Sequence, residues 1–232
     1  MNKVQARLLL DISGKMYVDV LANLNGMLEA FNEKFAVARY TFSSSFSSSN
    51  TWRQTGPSGQ LVRQNSLTFV AQDAWDIQAC NSGSWLVIPT NIGWKANGEN
   101  VMGRGLAKQA ASRFPTIAKT YGKWCKDYGC VICKIGIPRL ILAPSKALNK
   151  QNPGFSWANS SDIETVAKSY EQLSSLSFTK TLIVPLLGTG NGDMDVHTSS
   201  AIALRFTWSH ETVFVLKREQ FDILFGHGND RL

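Results

Sequence analysis

Six short apolar runs constrain the fold of this 232-residue chain more than any other feature: "LTFV", "WLVIPT", "VICKI", "LILAPS", "TLIVPLL" and "TVFVL". All lie from Leu67 onward and alternate with stretches of helical periodicity. Strands covered by helices on both faces are continuously apolar, as "TLIVPLL" is, whereas a half-exposed strand would alternate. An α/β domain is therefore expected over residues 66–232. Within it, Leu106, Ala110, Ile117, Tyr121 and Trp124 carry one helix face, with Pro115 placed to start a second helix. "SSDIE" opens a further helix over 161–176, with a serine or aspartate cap and an acid in the first turn.

The residues before that domain follow another pattern. Residues 5–20 read as two short strands around "SGK", and Val20, Leu21, Leu24, Met27, Leu28, Phe31 and Phe35 then recur at helical spacing. That stripe must be buried against the α/β domain or a partner chain. A serine-rich segment closed by "GPSG" follows, so a boundary is expected near residue 65, with 1–65 a small N-terminal α+β extension of unassigned role.

Composition excludes several classes. The 44% hydrophobic content is enough for a proper core. No apolar run approaches the roughly 20 residues needed to span a bilayer, and the first apolar segment is soon broken by Asp11, so neither a membrane protein nor a secretory signal is expected. The chain reads as cytosolic. Cys80, Cys125, Cys130 and Cys133 form no disulfide framework. Three of them cluster, but no second CxxC pair or nearby histidine closes a metal shell, so buried structural thiols are expected and no metal.

The chemistry concentrates in two glycine loops. In "NGENVMGRGLAKQAASRFP", Gly98, Gly103 and Gly105 surround Arg104 just before a helical stretch. Glycines let backbone N–H groups approach a ligand, and a helix N-terminus carries partial positive charge, which together hold a phosphate. The second loop, "PLLGTGNGDMD", follows a buried strand and precedes the helical stretch "VHTSSAIALRF". Ligands of open α/β sheets sit at the carboxyl ends of strands, so both loops are expected to face one crevice and clamp a diphosphate. Neither loop is a Walker A motif, since "GRGLAK" lacks the GK[ST] ending. Nor does "GTGNGD", near the C-terminus, suit a Rossmann fingerprint in the first strand–helix turn. Residues 95–150 hold eleven Lys or Arg against Glu99 and Asp127, a local balance of +9 around the first loop. Two explanations stay open for it: a solvated helix face, or a positive potential for a polyanion.

The order "QDAW … VIPTN … VMGRGLAKQAASRFP … PSK … WANSSDIETV … VPLLGTGNGDMD" resembles the macrodomains, the ADP-ribose-binding α/β modules, over residues 67 to about 226. It is most similar to the branch with the DNA ADP-ribose glycohydrolase antitoxins, the terminal ADP-ribose protein glycohydrolase and the ADP-ribose-1''-phosphate phosphatases. Phage-encoded macrodomains carry similar "IPTNIGW" openings. The resemblance implies a three-layer α/β/α sandwich with a mixed central sheet, no cofactor, and ADP-ribose or ADP-ribosylated protein or nucleic acid as partner.

By the same resemblance, Asp73 accepts from the adenine amino group and Ala74 offers backbone contacts. Gln72 stands where the family prefers glycine, so a turn or helix-cap aspartate, or use of Asp76 instead, stays open. Asn91 matches the asparagine on the distal ribose, a strand-end residue otherwise. Gly103, Arg104, Gly105 and Leu106 match the first phosphate loop, and Gly188, Thr189, Gly190, Asn191 and Gly192 the second. "IGWKANGE" is an insertion in which Trp94 and Lys95 are candidates for a lid. Lys146 occupies the position of a lysine that attacks the anomeric carbon in part of this branch, which requires a lowered pKa. Asp193, one position beyond the glycohydrolase aspartate, is a candidate general base or a helix cap beside Asp195. His197 is expected on a helix surface. Phe221 is a candidate for adenine stacking by the same resemblance, although core packing is the commoner job for such a residue.

The implied activity is hydrolysis of an ADP-ribosyl linkage or of ADP-ribose-1''-phosphate. A non-catalytic reader of ADP-ribosylation or sponge for an NAD-derived signal is the second option, and a nucleic-acid-binding protein the third.

Overall fold

A computed structural model describes residues 61–64, 67–177 and 180–225; the amphipathic stripe and serine-rich segment expected before residue 60 lie outside them. Seven strands follow in chain order: β1 (Leu61–Gln64), β2 (Leu67–Ala71), β3 (Trp85–Asn91), β4 (Cys133–Ile135), β5 (Leu140–Lys146), β6 (Leu182–Pro185) and β7 (Thr212–Leu216). They form one sheet in the order β1-β2-β7-β6-β3-β5-β4. The five central strands are parallel, and β1 and β4 pair antiparallel at the two edges. The sheet is thus mixed, as expected, and its first strand begins at Leu61, just ahead of residue 65.

Among the described residues six α-helices cover the sheet: α1 (Ala74–Cys80), α2 (Gly105–Arg113), α3 (Ile117–Tyr128), α4 (Ile163–Ser174), α5 (Val196–Leu204) and α6 (Arg218–Phe225). Side chains on a strand point alternately to opposite faces, and that alternation sorts the core into two layers. Val70, Ile88, Leu142, Ile183 and Val213 pack with Trp75 of α1, Ala110 of α2 and Tyr121 of α3. On the other face Phe69 stacks on Phe214 at 5.1 Å and meets Phe225 of α6, while Tyr170 of α4 leans on Phe214. With both faces covered, Val87, Ile88, Ile141, Leu142, Ile183 and Val184 are all fully buried. The continuous apolar runs follow from this.

Local chemistry sets the helix starts. Asp73, Asp162 and Asp195 cap α1, α4 and α5, each accepting from a backbone N–H of the first turn. Pro115 does not open α3; it lies in the turn between α2 and α3, whose first residue is Ile117. A Cβ on Gly122 of α3 would come within 2.1 Å of the Gly98 carbonyl oxygen, so α3 rests directly on the "IGWKANGE" insertion. Asn100 then ties that insertion to β3, its Nδ2 donating to the Asn91 and Gly93 carbonyls at 2.9 and 2.7 Å. Gly122→Ala is expected to cost about 2 kcal/mol or more through backbone overlap. A lower urea midpoint with unchanged m value would show it, and an unshifted midpoint would refute the contact.

Candidate functional site

The crevice is a product of strand order. β3 and β6 are parallel neighbours, but the chain leaves β3 toward α2 on one face and leaves β6 toward α5 on the other. Where exits from adjacent strands diverge, a crevice opens at their carboxyl ends. Residues 97–105 and 186–195 border it, so the two glycine loops come together. A Cβ on Gly105 would lie 3.1 Å from Asn191 Nδ2, and Gly105 itself sits at φ +55.

The glycines divide into two sets. Gly105, Gly188 and Gly192 are required by the protein itself. Gly188 has φ +84 with Ser161 and Met194 against it, and a Cβ on Gly192 would collide with the Ser161 hydroxyl and the Gly188 carbonyl. Ser161 N–H donates to the Gly192 carbonyl at 2.7 Å and Met194 N–H to that of Gly188 at 3.1 Å, closing the second loop on itself. Gly103 and Gly190 differ. Neither has positive φ, and no described atom lies within 4 Å of where their Cβ would stand. Nothing within the described protein requires glycine there, whereas the close approach of an outside group would.

The second loop starts from a buried clasp. Leu187 N–H donates to the Tyr170 hydroxyl at 2.8 Å, and the Ser199 hydroxyl donates to the Leu187 carbonyl at 2.7 Å. The two hydroxyls are 3.0 Å apart, and burial pushes the Tyr170 phenol up to about 12, so it stays neutral. Farther along, Thr189 donates to the Leu186 carbonyl and accepts from Gln220 Nε2, which fastens the loop to α6. Sequence reasoning passed over Tyr170, Ser199, Ser161 and Gln220, because partners 17 to 31 residues away leave no local pattern.

Each of the other candidates has a definite place. Arg104 is the N-cap of α2, exposed, and no side chain caps that helix. The first N–H groups of α2 therefore lack intrahelical partners at the mouth of the crevice. Leu106 turns inward against the core. Asp73 Oδ1 accepts from Trp75 and Asp76 N–H at 2.8 and 3.2 Å, which realises the helix-cap alternative, and Ala74 is buried behind it. Asn91 ends β3 nearly buried, its Nδ2 donating to the Val101 carbonyl at 2.9 Å and its Oδ1 accepting from Asn100 at 3.2 Å. It therefore fixes the base of the first loop. Trp94 packs partly on the core and Lys95 pairs with Glu99 at 3.2 Å, so the insertion is anchored and not a free lid.

Lys146 ends β5, and its Nζ donates to the carbonyls of Trp157 and Asn191. Desolvation lowers its pKa; Asp193 opposes that and Arg104 adds to it, so these charged groups of both loops act on one lysine. Asp193 is exposed in the left-handed region at φ 55, a position suited to glycine. It does not cap α5; Asp195 does, accepting from Thr198 N–H at 2.9 Å. His197 is exposed on α5. Phe221 is only 3% exposed and packs on Phe225, so its ring belongs to the core and offers no stacking face to a base. Cys125 and Cys133 are buried, and burial raises their thiols to about 12 and about 11. Cys80 is exposed and Cys130 half-buried, contrary to a uniformly buried set. Among the described residues no group of His, Cys, Asp and Glu is arranged to hold a metal ion, and no helix is long and apolar enough to cross a membrane.

No family model and no curated protein matches the chain. Among solved structures it is similar to Thermosipho africanus DarTG in complex with ADP-ribose, with TM-score 0.52 and 18% identity over 69% of this chain. The chain spans 44% of that structure's length. It also matches the macrodomain of Mycobacterium tuberculosis DarG (TM-score 0.43, 21% identity, 65% of this chain and 96% of that one). A third match is the macrodomain of Thermus aquaticus DarG (TM-score 0.45, 22% identity, 65% and 97%). At these identities the likeness is one of fold.

Two variants test the loop. Tyr170→Phe leaves the buried Leu187 N–H unpaired and is expected to cost about 1–3 kcal/mol, read from the thermal midpoint. Asp193→Gly relieves the left-handed backbone and is expected to stabilise by about 1 kcal/mol; destabilisation would mean that the aspartate side chain holds the loop.

Proposed function

We propose, for a chain whose described residues have the macrodomain fold, that the crevice binds ADP-ribose or an ADP-ribose derivative and hydrolyses a bond at its distal ribose. The observation that carries this is the pair of glycines, Gly103 and Gly190, that face open space on opposite loops of one crevice. A diphosphate between them would take backbone N–H groups from both sides and the uncapped N-terminus of α2, with Arg104 supplying charge. Asp73, with one carboxylate oxygen engaged in capping, has its second oxygen for the adenine amine. Asn91, at the end of β3, would face the distal ribose.

For the bond cleavage, Lys146 and Asp193 are the candidate pair, with Asn91 positioning the ribose. A neutral Lys146 amine would attack the anomeric carbon of an ADP-ribosyl linkage as the leaving group departs, and water activated by Asp193 would then release ADP-ribose. Hydrolysis of ADP-ribose-1''-phosphate needs only a positioned phosphate and an ordered water, and does not involve Lys146. A specific observation also favours a second function, a non-catalytic reader of ADP-ribosylation. The Lys146 ammonium already donates to two carbonyls, which suits a clamp between residues 153–158 and the second loop as well as it suits a nucleophile.

Calorimetry with free ADP-ribose tests the shared premise. Gly103→Ala and Gly190→Ala are expected to leave the melting temperature unchanged or slightly raised while weakening ADP-ribose by about tenfold or more; equal binding in both variants would remove the premise. Turnover of ADP-ribosylated DNA, ADP-ribosylated protein and the 1''-phosphate then separates the activities, and binding without turnover of any of them leaves the reader. If Lys146 is the nucleophile, activity rises with pH along a limb centred below an ordinary lysine's 10.5, because only the neutral amine reacts. Arg104→Gln removes a cation that lowers the Lys146 pKa, so at saturating substrate the limb moves to higher pH; a limb unmoved by that change counts against Lys146.

A further inference from the structure

The opposite end of the strands carries a second concave site. A cavity of about 360 Å³ lies where α1 and α2 end and β3 and β5 begin, with Trp75, Gln78, Ser82, Arg113, Phe114 and Arg139 in its lining. Its size suits a small ligand. No acidic side chain lines it, although two arginines do. The Arg113 guanidinium lies over the Trp75 ring, 4.5 Å from the centroid. A guanidinium resting on an aromatic face can still present N–H groups to an acceptor. Part of this arrangement serves the helix, since a cation in the last turn of α2 suits the macrodipole.

Arg139 has no such local reason. It is exposed and sits at φ 65, a left-handed conformation unfavourable for a long side chain, at the start of β5. Its carbonyl accepts from Leu86 N–H at 3.1 Å and from Gln78 Nε2 at 3.2 Å, so the backbone is held in that conformation from two sides. Neither Arg113 nor Arg139 has an ion-pair partner among the described residues. The Lys180 side chain passes Gly83 on the rim, within about 3.6 Å of where a Cβ would be, and adds a third cation. At this end of the sheet Glu211 accepts from the Thr181 hydroxyl at 2.7 Å.

We propose that this cavity is a second anion site, separate from the crevice, that takes the phosphate monoester of a small phosphorylated sugar or nucleotide. Arg113 and Arg139 fork onto the phosphate oxygens, Gln78 and Ser82 meet hydroxyls, and Phe114 with the edge of Trp75 forms the wall beside the carbon skeleton.

Ribose 5-phosphate, with free ribose as control, is titrated by calorimetry into the full chain and its variants. One saturable site for ribose 5-phosphate and none for ribose is expected, with affinity falling by about tenfold or more in Arg113→Gln and in Arg139→Gly. Arg139→Gly also relieves the left-handed backbone, so it should melt no lower than the parent, which separates lost binding from lost folding. Arg104→Gln, in the crevice, should leave ribose 5-phosphate affinity unchanged. The proposal is overturned by absence of saturable binding, by equal binding of free ribose, or by an affinity that falls in Arg104→Gln but not in the other two variants.

Discussion

Placing β3 beside β6 in parallel, with their connections leaving on opposite faces, is the constraint on which the rest of the site depends. It alone brings residues 97–105 and 186–195 to one crevice, although some eighty residues of chain separate them. If β6 lay at the far side of β5, each loop would still be a strand-to-helix turn with glycines, but no ligand could touch both. The parallel arrangement in turn needs helices on both faces, because strands as apolar as Leu182–Pro185 have no side to give to water.

Within the crevice, the glycines report two different pressures. Gly105, Gly188 and Gly192 satisfy the protein's own geometry: positive φ at the first two, and a Ser161 hydroxyl that leaves no space at the third. Gly103 and Gly190 satisfy nothing internal among the described residues, and a Cβ at either would meet open space. The loops are also held differently. The second is fastened by a buried hydroxyl pair and by Gln220, whereas the first hangs from Asn91 and Asn100 and ends at a helix without a side-chain cap. For the anion proposed to bind there, a fastened loop on one side and an uncapped helix N-terminus on the other would need little ordering.

The basic balance of residues 95–150 also acquires a spatial meaning. Arg104 and Lys146 stand at the crevice, where Arg104 helps lower the Lys146 pKa, while Arg113 and Arg139 stand at the opposite end of the strands. One run of positive charge along the chain is therefore divided between two separate concavities, because α2 and β5 each carry one cation at either end.

Much of the fold was legible in the chain. Continuous apolar runs imply strands covered on both faces, and aspartates before periodic stretches imply caps, which is why β2, β3, β5, β6, β7 and the start of α4 were readable locally. Glycines around Arg104 and after Leu187 pointed to phosphate chemistry for the same reason: backbone conformation is written in neighbouring residues. What only the tertiary structure decided are relations between distant positions. That Asn191 meets Gly105, that Tyr170 and Ser199 clasp Leu187, that Asp195 and not Asp193 caps α5, and that Phe221 turns into the core all depend on which elements become neighbours. Side chains such as Tyr170, Ser161 and Arg139 carry no periodicity or motif of their own. Their roles exist only once packing removes water and leaves each polar group to find the partner that the fold has placed beside it.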